Sequence, residues 1–230
     1  MGGLPTNRTV NGFAVNPETP RVMYVATRDG LFQSADAGES WKKFMNNFPT
    51  VRTDDILVHP RDGDLIVATH GRGVWIADDV TPLQQLTTNV LSQDAHLFDV
   101  RPAVAYQRDI QTNRCRPTLP CLGQHIFAAE NAPRGTAINY YLKSAASGDV
   151  KISITDITGR VLCTSDVPKN AGINRVQWTL AATGANGAVP NCSGGSGEAA
   201  PGAYAVQLSI GGKNFTKAVQ VLEDRWLSER

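Results

Sequence analysis

Charge of one sign is what this sequence most plainly lacks: 22 basic and 21 acidic residues leave a net +1. That balance excludes the basic footprint of a nucleic-acid or anionic-membrane binder. No apolar run approaches the roughly 20 residues of a membrane span, and no basic segment followed by an apolar one opens the chain as a secretory leader would. Neither Gly-x-Ser-x-Gly, His-Glu-x-x-His nor a glycine-rich phosphate loop is present. The four cysteines form no Cys-x-x-Cys pair and the four histidines are scattered. No zinc set, other metal site or cofactor is therefore expected.

The cysteines are even in number, and all fall in the second half: Cys115, Cys121, Cys163 and Cys192. Disulfides suit an oxidising compartment. The expected pairs are Cys115–Cys121 across a proline-containing loop and Cys163–Cys192 between a strand and a long loop. Reduced thiols in a cytosolic protein are the alternative.

What is present is a repeat. Leu4-Pro5-Thr6 returns as Phe48-Pro49-Thr50, Phe13-Ala14-Val15-Asn16-Pro17 as Ile56-Leu57-Val58-His59-Pro60, Val25-Ala26-Thr27 as Val67-Ala68-Thr69, and Gly30-Leu31-Phe32 as Gly73-Val74-Trp75. The offset is 42 positions from Val25 to Val67 and 44 from Pro5 to Pro49. A period of about 40–45 built from short β-patterned runs is the length of one propeller blade. Propellers close with about four to eight blades, each burying its faces on neighbours. Two copies therefore predict an incomplete propeller, a piece of a longer protein whose remaining blades lie elsewhere. Exposed apolar sheet surface, with poor solubility or self-association through open edges, is the expected consequence.

The first repeat carries Ser34-Ala35-Asp36-Ala37-Gly38-Glu39-Ser40-Trp41, which fits the Ser-x-Asp-x-Gly-x-Ser/Thr-Trp pattern of the Asp-box, or BNR repeat. Here Ser34, Asp36, Gly38, Ser40 and Trp41 read as a hairpin device: the carboxylate accepts from turn N–H groups, glycine allows positive φ, and the indole packs back. Asp36 is thus structural rather than a catalytic acid. The second repeat keeps Asp79 but loses the glycine and tryptophan, then reads as a short helical turn from Thr81 to Leu86, with Thr81 as N-cap and Pro82 at the first helical position.

In an up-and-down meander successive turns lie at opposite ends. The Thr27–Gly30 and Thr69–Gly73 turns therefore fall at the end opposite the Asp-box, making Arg28, Asp29, His70 and Arg72 the candidate ligand contacts. Solvated polar residues on glycine turns are the competing reading. A glycosidase needs two carboxyls roughly 5–9.5 Å apart across one sugar. The neighbours Asp54/Asp55 and Asp78/Asp79 point to opposite faces of a strand and do not meet that need. No catalytic residue is assigned.

After Leu97-Phe98-Asp99-Val100-Arg101-Pro102 the repeat stops. Alternating runs follow at Ile138/Tyr140/Leu142, Val150/Ile152/Ile154, Val176/Trp178/Leu180 and Tyr204/Val206/Leu208/Ile210, with Gly211-Gly212 as a hairpin turn into Phe215–Leu222. These predict an Ig-like antiparallel β-sandwich. Trp178 and Tyr204 read as core.

Two resemblances follow. The Asp-box, with Val67-Ala68-Thr69-His70-Gly71-Arg72-Gly73-Val74-Trp75-Ile76-Ala77-Asp78-Asp79, resembles the last blades of bacterial sortilin-type BNR propeller proteins, often labelled glycosyl hydrolases. Asp156-Ile157-Thr158-Gly159-Arg160, Ala171–Trp178 and Pro201–Val206 resemble the Ig-like domain of flagellar hook-capping type found at the ends of secreted bacterial proteins. Together they imply an all-β chain of two terminal propeller blades (1–100), a linker with two cysteines (101–135) and an Ig-like sandwich (136–224). The resemblance further implies an extracytoplasmic, non-catalytic binding or scaffold region for peptide or glycan. The alternative is the C-terminal tail of a BNR-type glycoside hydrolase whose acids lie upstream.

Overall fold

The computed structural model describes residues 2–6, 9–44, 47–106, 133–184, 187–194 and 197–225. The expected Cys115–Cys121 pair lies outside them. The described residues are all-β apart from two short helices, and the chain divides into two compact units, Met1–Ser92 and Gln93–Arg230.

The first unit holds two meanders. β1 (Val10–Val15), β2 (Met23–Thr27), β3 (Gly30–Ser34) and β4 (Lys42–Lys43) form one antiparallel sheet in chain order. β5 (Thr53–Val58), β6 (Leu65–Thr69) and β7 (Val74–Ala77) form the second. The repeat extends to an irregularity: the register slips between Val10 and Gly12 on β1 and again between Thr53 and Asp55 on β5. There the sheets touch. An added Cβ on Gly12 would lie 3.2 Å from the Asp55 Cα, and Asn11 Nδ2 donates to the Thr53 carbonyl at 2.8 Å. Glycine suits that close backbone approach.

Period-two alternation gives each sheet two faces. Ala14, Tyr24, Ala26 and Leu31 of the first sheet join Ile56, Val58, Leu65, Val67 and Trp75 of the second in one core. Full burial of each Val, Leu or Ile stabilises by roughly 1.5–3 kcal/mol. The opposite face of the first sheet carries Val25 and Phe32, covered by Trp41 and Leu4, beside Phe13, which is 53% exposed. The opposite face of the second carries Leu57, Ile66 and Ile76 in one cross-strand row, with Val74 nearby. Leu57, Val74 and Ile76 are 55%, 66% and 57% exposed.

Two helices end the unit, α1 (Thr81–Gln85) and α2 (Thr88–Ser92). The N-cap of α1 is Val80, without a side-chain cap bond, and Thr81 is inside the helix. The expected Thr81 cap fails because its hydroxyl donates to the Asp79 carboxylate instead.

The second unit packs two sheets over one core. Its strands are β8 (Ala95–Leu97), β9 (Ala103–Ala105), β10 (Thr136–Leu142), β11 (Val150–Asp156), β12 (Val161–Asp166), β13 (Gly172–Trp178), β14 (Ala181–Ala182), β15 (Gly197–Glu198), β16 (Gly202–Ile210) and β17 (Lys213–Glu223). One sheet runs β13-β10-β8, the other β12-β11-β16-β17-β9, and β14 and β15 make a small ladder. Ile138, Tyr140, Leu142 and Trp178 from the first meet Ile152, Ile154, Val206, Leu208, Val219 and Val221 from the second. Gly211 and Gly212, both at positive φ, connect Ile210 to its partner Lys213.

Two features depart from the sequence reading. The division falls after Ser92 and not near residue 100, because Ala95–Leu97 pairs with β10 and Ala103–Ala105 with β17. The sandwich is also not wholly antiparallel, since β9 lies parallel to β17. Cys163 and Cys192, both fully buried, form a disulfide between β12 and the loop after β14.

Candidate functional site

Strand directions in the first unit sort its turns to two ends. The β1–β2 turn, the Asp-box turn after β3 and the β5–β6 turn share one end. The Arg28-Asp29 turn and the turn through His70, Gly71 and Arg72 share the other.

At the Asp-box end Asp36 is fully engaged. Its Oδ1 accepts from Ser34 Oγ at 2.7 Å and from the Ser40 N–H at 2.9 Å, and its Oδ2 accepts from the Ser40 hydroxyl. Ser34 Oγ in turn accepts from the Gly38 N–H at 2.9 Å, and Trp41 Nε1 donates to the Gly38 carbonyl at 3.1 Å. The Ser40 hydroxyl and N–H, with Ser34, hold the Asp36 carboxyl down to a pKa of about 2. An acid stabilised as its anion and saturated with donors does not deliver protons near neutral pH. Ala37 (φ 60°) joins Gly38 (φ 88°) in the left-handed region, so the turn spends strain on a non-glycine residue as well.

At the other end each hairpin is locked by its threonine. Thr27 Oγ1 donates to the Gly30 carbonyl at 2.9 Å and accepts from the Asp29 N–H at 3.1 Å. Thr69 Oγ1 donates to the Gly73 carbonyl at 2.7 Å. This leaves Arg28 and Asp29 at the tip of one turn, and His70 and Arg72 in the next. His70 is joined by two residues the sequence reading did not select. Its Nδ1 lies 3.5 Å from Asp54 Oδ2, and Arg52 Nε donates to Asp54 Oδ1 at 2.6 Å. The His70 N–H also donates to the Arg52 carbonyl at 2.9 Å, which fixes the turn beside the start of β5. Only the Arg-x-Asp spacing at 52–54 could have pointed to this pair.

The result is a cluster of Arg52, Asp54 and His70, with Arg28, Asp29 and Arg72 on turns at the same end of the unit. Two further carboxylates are occupied locally: Asp55 Oδ1 accepts from the Ile56 N–H at 2.8 Å, and Asp79 holds Thr81. Among the described residues no group of three or more His, Cys, Asp or Glu is placed to hold a metal ion, and no helix is long and apolar enough to cross a membrane.

No protein-family model matches the chain. No curated protein matches it in sequence. Among solved structures it is similar to the extracellular domain of BT4673 of B. thetaiotaomicron, a putative one-component system, at 10% identity over 96% of this chain and 26% of that one, with a TM-score of 0.27. The same domain described as part of a putative hybrid two-component system gives 9% identity, 96% and 26% coverage and a TM-score of 0.27. The BSP domain of a biofilm-associated protein gives 13% identity, 91% and 24% coverage and a TM-score of 0.28. The chain thus spans about a quarter of each of these structures. These neighbours include bacterial extracellular domains, and TM-scores this low carry no argument about fold or function.

Proposed function

We propose that this chain is a non-catalytic binding and scaffold region of an exported propeller-type protein, its first unit being two sheets of a longer stack. One observation carries the reading. The two outer faces of the sheet pair, one open at Leu57, Val74 and Ile76 and the other open at Phe13 but covered by Trp41 and Leu4 at Val25, are the repeat counterparts of the two faces buried between the sheets. Leu57, Ile66 and Val74 stand where Ala14, Tyr24 and Leu31 stand in the first sheet, and those three are packed against the second. Phe13, Val15 and Val25 stand where Ile56, Val58 and Val67 are buried. Each outer face is therefore shaped for a further sheet of the same repeat, and the remaining sheets of the full protein are the occupants we assign to it.

The sortilin-type BNR resemblance of the Asp-box agrees with this stack. The buried Cys163–Cys192 disulfide supports an extracytoplasmic location. Peptide or glycan is the ligand class, met at the rim of Arg28, Asp29, His70 and Arg72. The tail of a BNR-type glycoside hydrolase is the second reading, favoured by the Asp-box pattern alone. Release of sugar from a polysaccharide panel by the full-length protein would establish it.

The stack is tested by Leu57→Lys with Ile76→Lys. In the 230-residue chain both positions face solvent, so the variant gains solubility and keeps its melting temperature. In a longer form whose upstream repeats close round onto the second sheet, the same changes bury two lysines and destabilise it. Equal tolerance in both forms would overturn the reading.

A further inference from the structure

The second unit contains a cleft that nothing above uses. It has a volume of ≈ 190 Å³, and its walls include Asp156, Arg160, Leu162, Thr183, Glu198 and Tyr204. Three of its polar side chains are fixed from behind. Asp156 Oδ1 accepts from the Thr158 N–H at 2.8 Å, the Thr158 hydroxyl at 2.6 Å and the Arg160 N–H at 3.1 Å. Both Glu198 carboxylate oxygens are taken by the Arg134 guanidinium. The Tyr204 hydroxyl donates to the Ala200 carbonyl at 2.6 Å, and its ring stands edge-on to the fully buried Trp178 at 5.6 Å.

Two groups at the cleft are left over. Among the described residues neither Asp156 Oδ2 nor the Arg160 guanidinium has a hydrogen-bond partner. They supply one acceptor and a fork of donors of opposite charge beside an aromatic ring and the methyl groups of Ala182, Ala199 and Ala200. Walls pinned before a ligand arrives lower the ordering cost of binding.

We infer that this cleft is a subsite for a single neutral sugar ring, with Asp156 and Arg160 bridging two adjacent hydroxyls and Tyr204 covering a C–H face. Adjacent hydroxyls donate and accept together, which matches a carboxylate beside a guanidinium. The cancelling charges favour a neutral ligand, and the volume is enough for one ring. The assignment stands on the second unit alone and is independent of the rim in the first.

Saturation-transfer NMR of the 230-residue protein with methyl pyranosides of glucose, galactose, mannose and N-acetylglucosamine tests it. At least one should bind. Arg160→Gln, which removes no intramolecular hydrogen bond, should weaken that binding roughly tenfold or more. Asp156→Asn retains the turn acceptor and should weaken it as well, whereas Lys213→Ala, at the opposite end of β16 and β17 from the cleft, should leave it unchanged. Binding of glycylglycine but of no glycoside would identify a peptide-terminus site and overturn the proposal. So would silence from every glycoside at millimolar concentration, or binding indifferent to Arg160→Gln.

Discussion

Replacing Cys163 and Cys192 together by alanine isolates what the disulfide contributes. Its loop spans 29 positions. Under the chain-entropy relation, closing a loop of that length stabilises by about 3.6 kcal/mol at 25 °C. The native geometry does not depend on the bond. The Cys192 N–H donates to Ser165 Oγ at 2.8 Å, the Thr164 N–H to the Pro190 carbonyl at 3.0 Å and the Thr179 N–H to the Cys192 carbonyl at 3.0 Å. The loop should stay docked in the variant, and the loss should come from a freer unfolded chain. For a unit of about 140 residues, an unfolding entropy of about 2.1 cal/mol/K per residue converts that loss to a fall of about 12 °C in Tm. Alanine avoids burying new polar groups, and substitution, unlike a reductant, leaves Cys115 and Cys121 untouched. Near-UV circular dichroism of buried Trp178 reports the native packing, and thermal or urea melts report the stability. A double variant melting within about 3 °C of the parent would falsify the entropic account.

Four further outcomes follow from the geometry. Asp36 has a folded pKa of about 2, below its ordinary value of 3.8, so its contribution is present above pH 3.8 and lost as pH falls toward 2. Acid melts of the first unit should steepen across that window, and Asp36→Asn should flatten them; an unchanged profile would count against the turn's role. The Tyr24 hydroxyl is buried without a partner among the described residues, and burial pushes its pKa well up. Tyr24→Phe should therefore be neutral or stabilising by up to about 1 kcal/mol, and a loss beyond that size in urea melts would refute the assignment. Gly135 has φ +85°, and an added Cβ would lie 1.9 Å from the Trp178 carbonyl oxygen. Gly135→Ala should cost at least about 2 kcal/mol, against near-neutrality for Gly148→Ala, which meets nothing. Arg134→Ala frees Glu198 at an exposed ion pair and should cost no more than about 1 kcal/mol.

The sequence announced its sheets where a physical constraint repeats. The two meanders were legible because glycine turns and alternating apolar residues recur at nearly constant spacing, and the Asp-box because each of its side chains bonds within eight residues. β8 and β9 were not. Each is three residues long, and each exists only through pairing with β10 or β17, strands far along the chain. Such pairing leaves no local periodicity to read. The same holds for the rim: His70 and Arg72 are marked by their turn, but in sequence Asp54 is only the neighbour of Asp55. Its real neighbour is a histidine brought alongside by sheet register.

The two sheets meet head to tail, unlike face to unlike face. A face that always meets its unlike counterpart sets no limit on how many members join, because every junction is the same junction. Number is then decided by the angle between neighbours and by whether the row meets its own beginning. Gain or loss of a whole repeat through gene duplication or deletion would leave every surviving contact chemically intact.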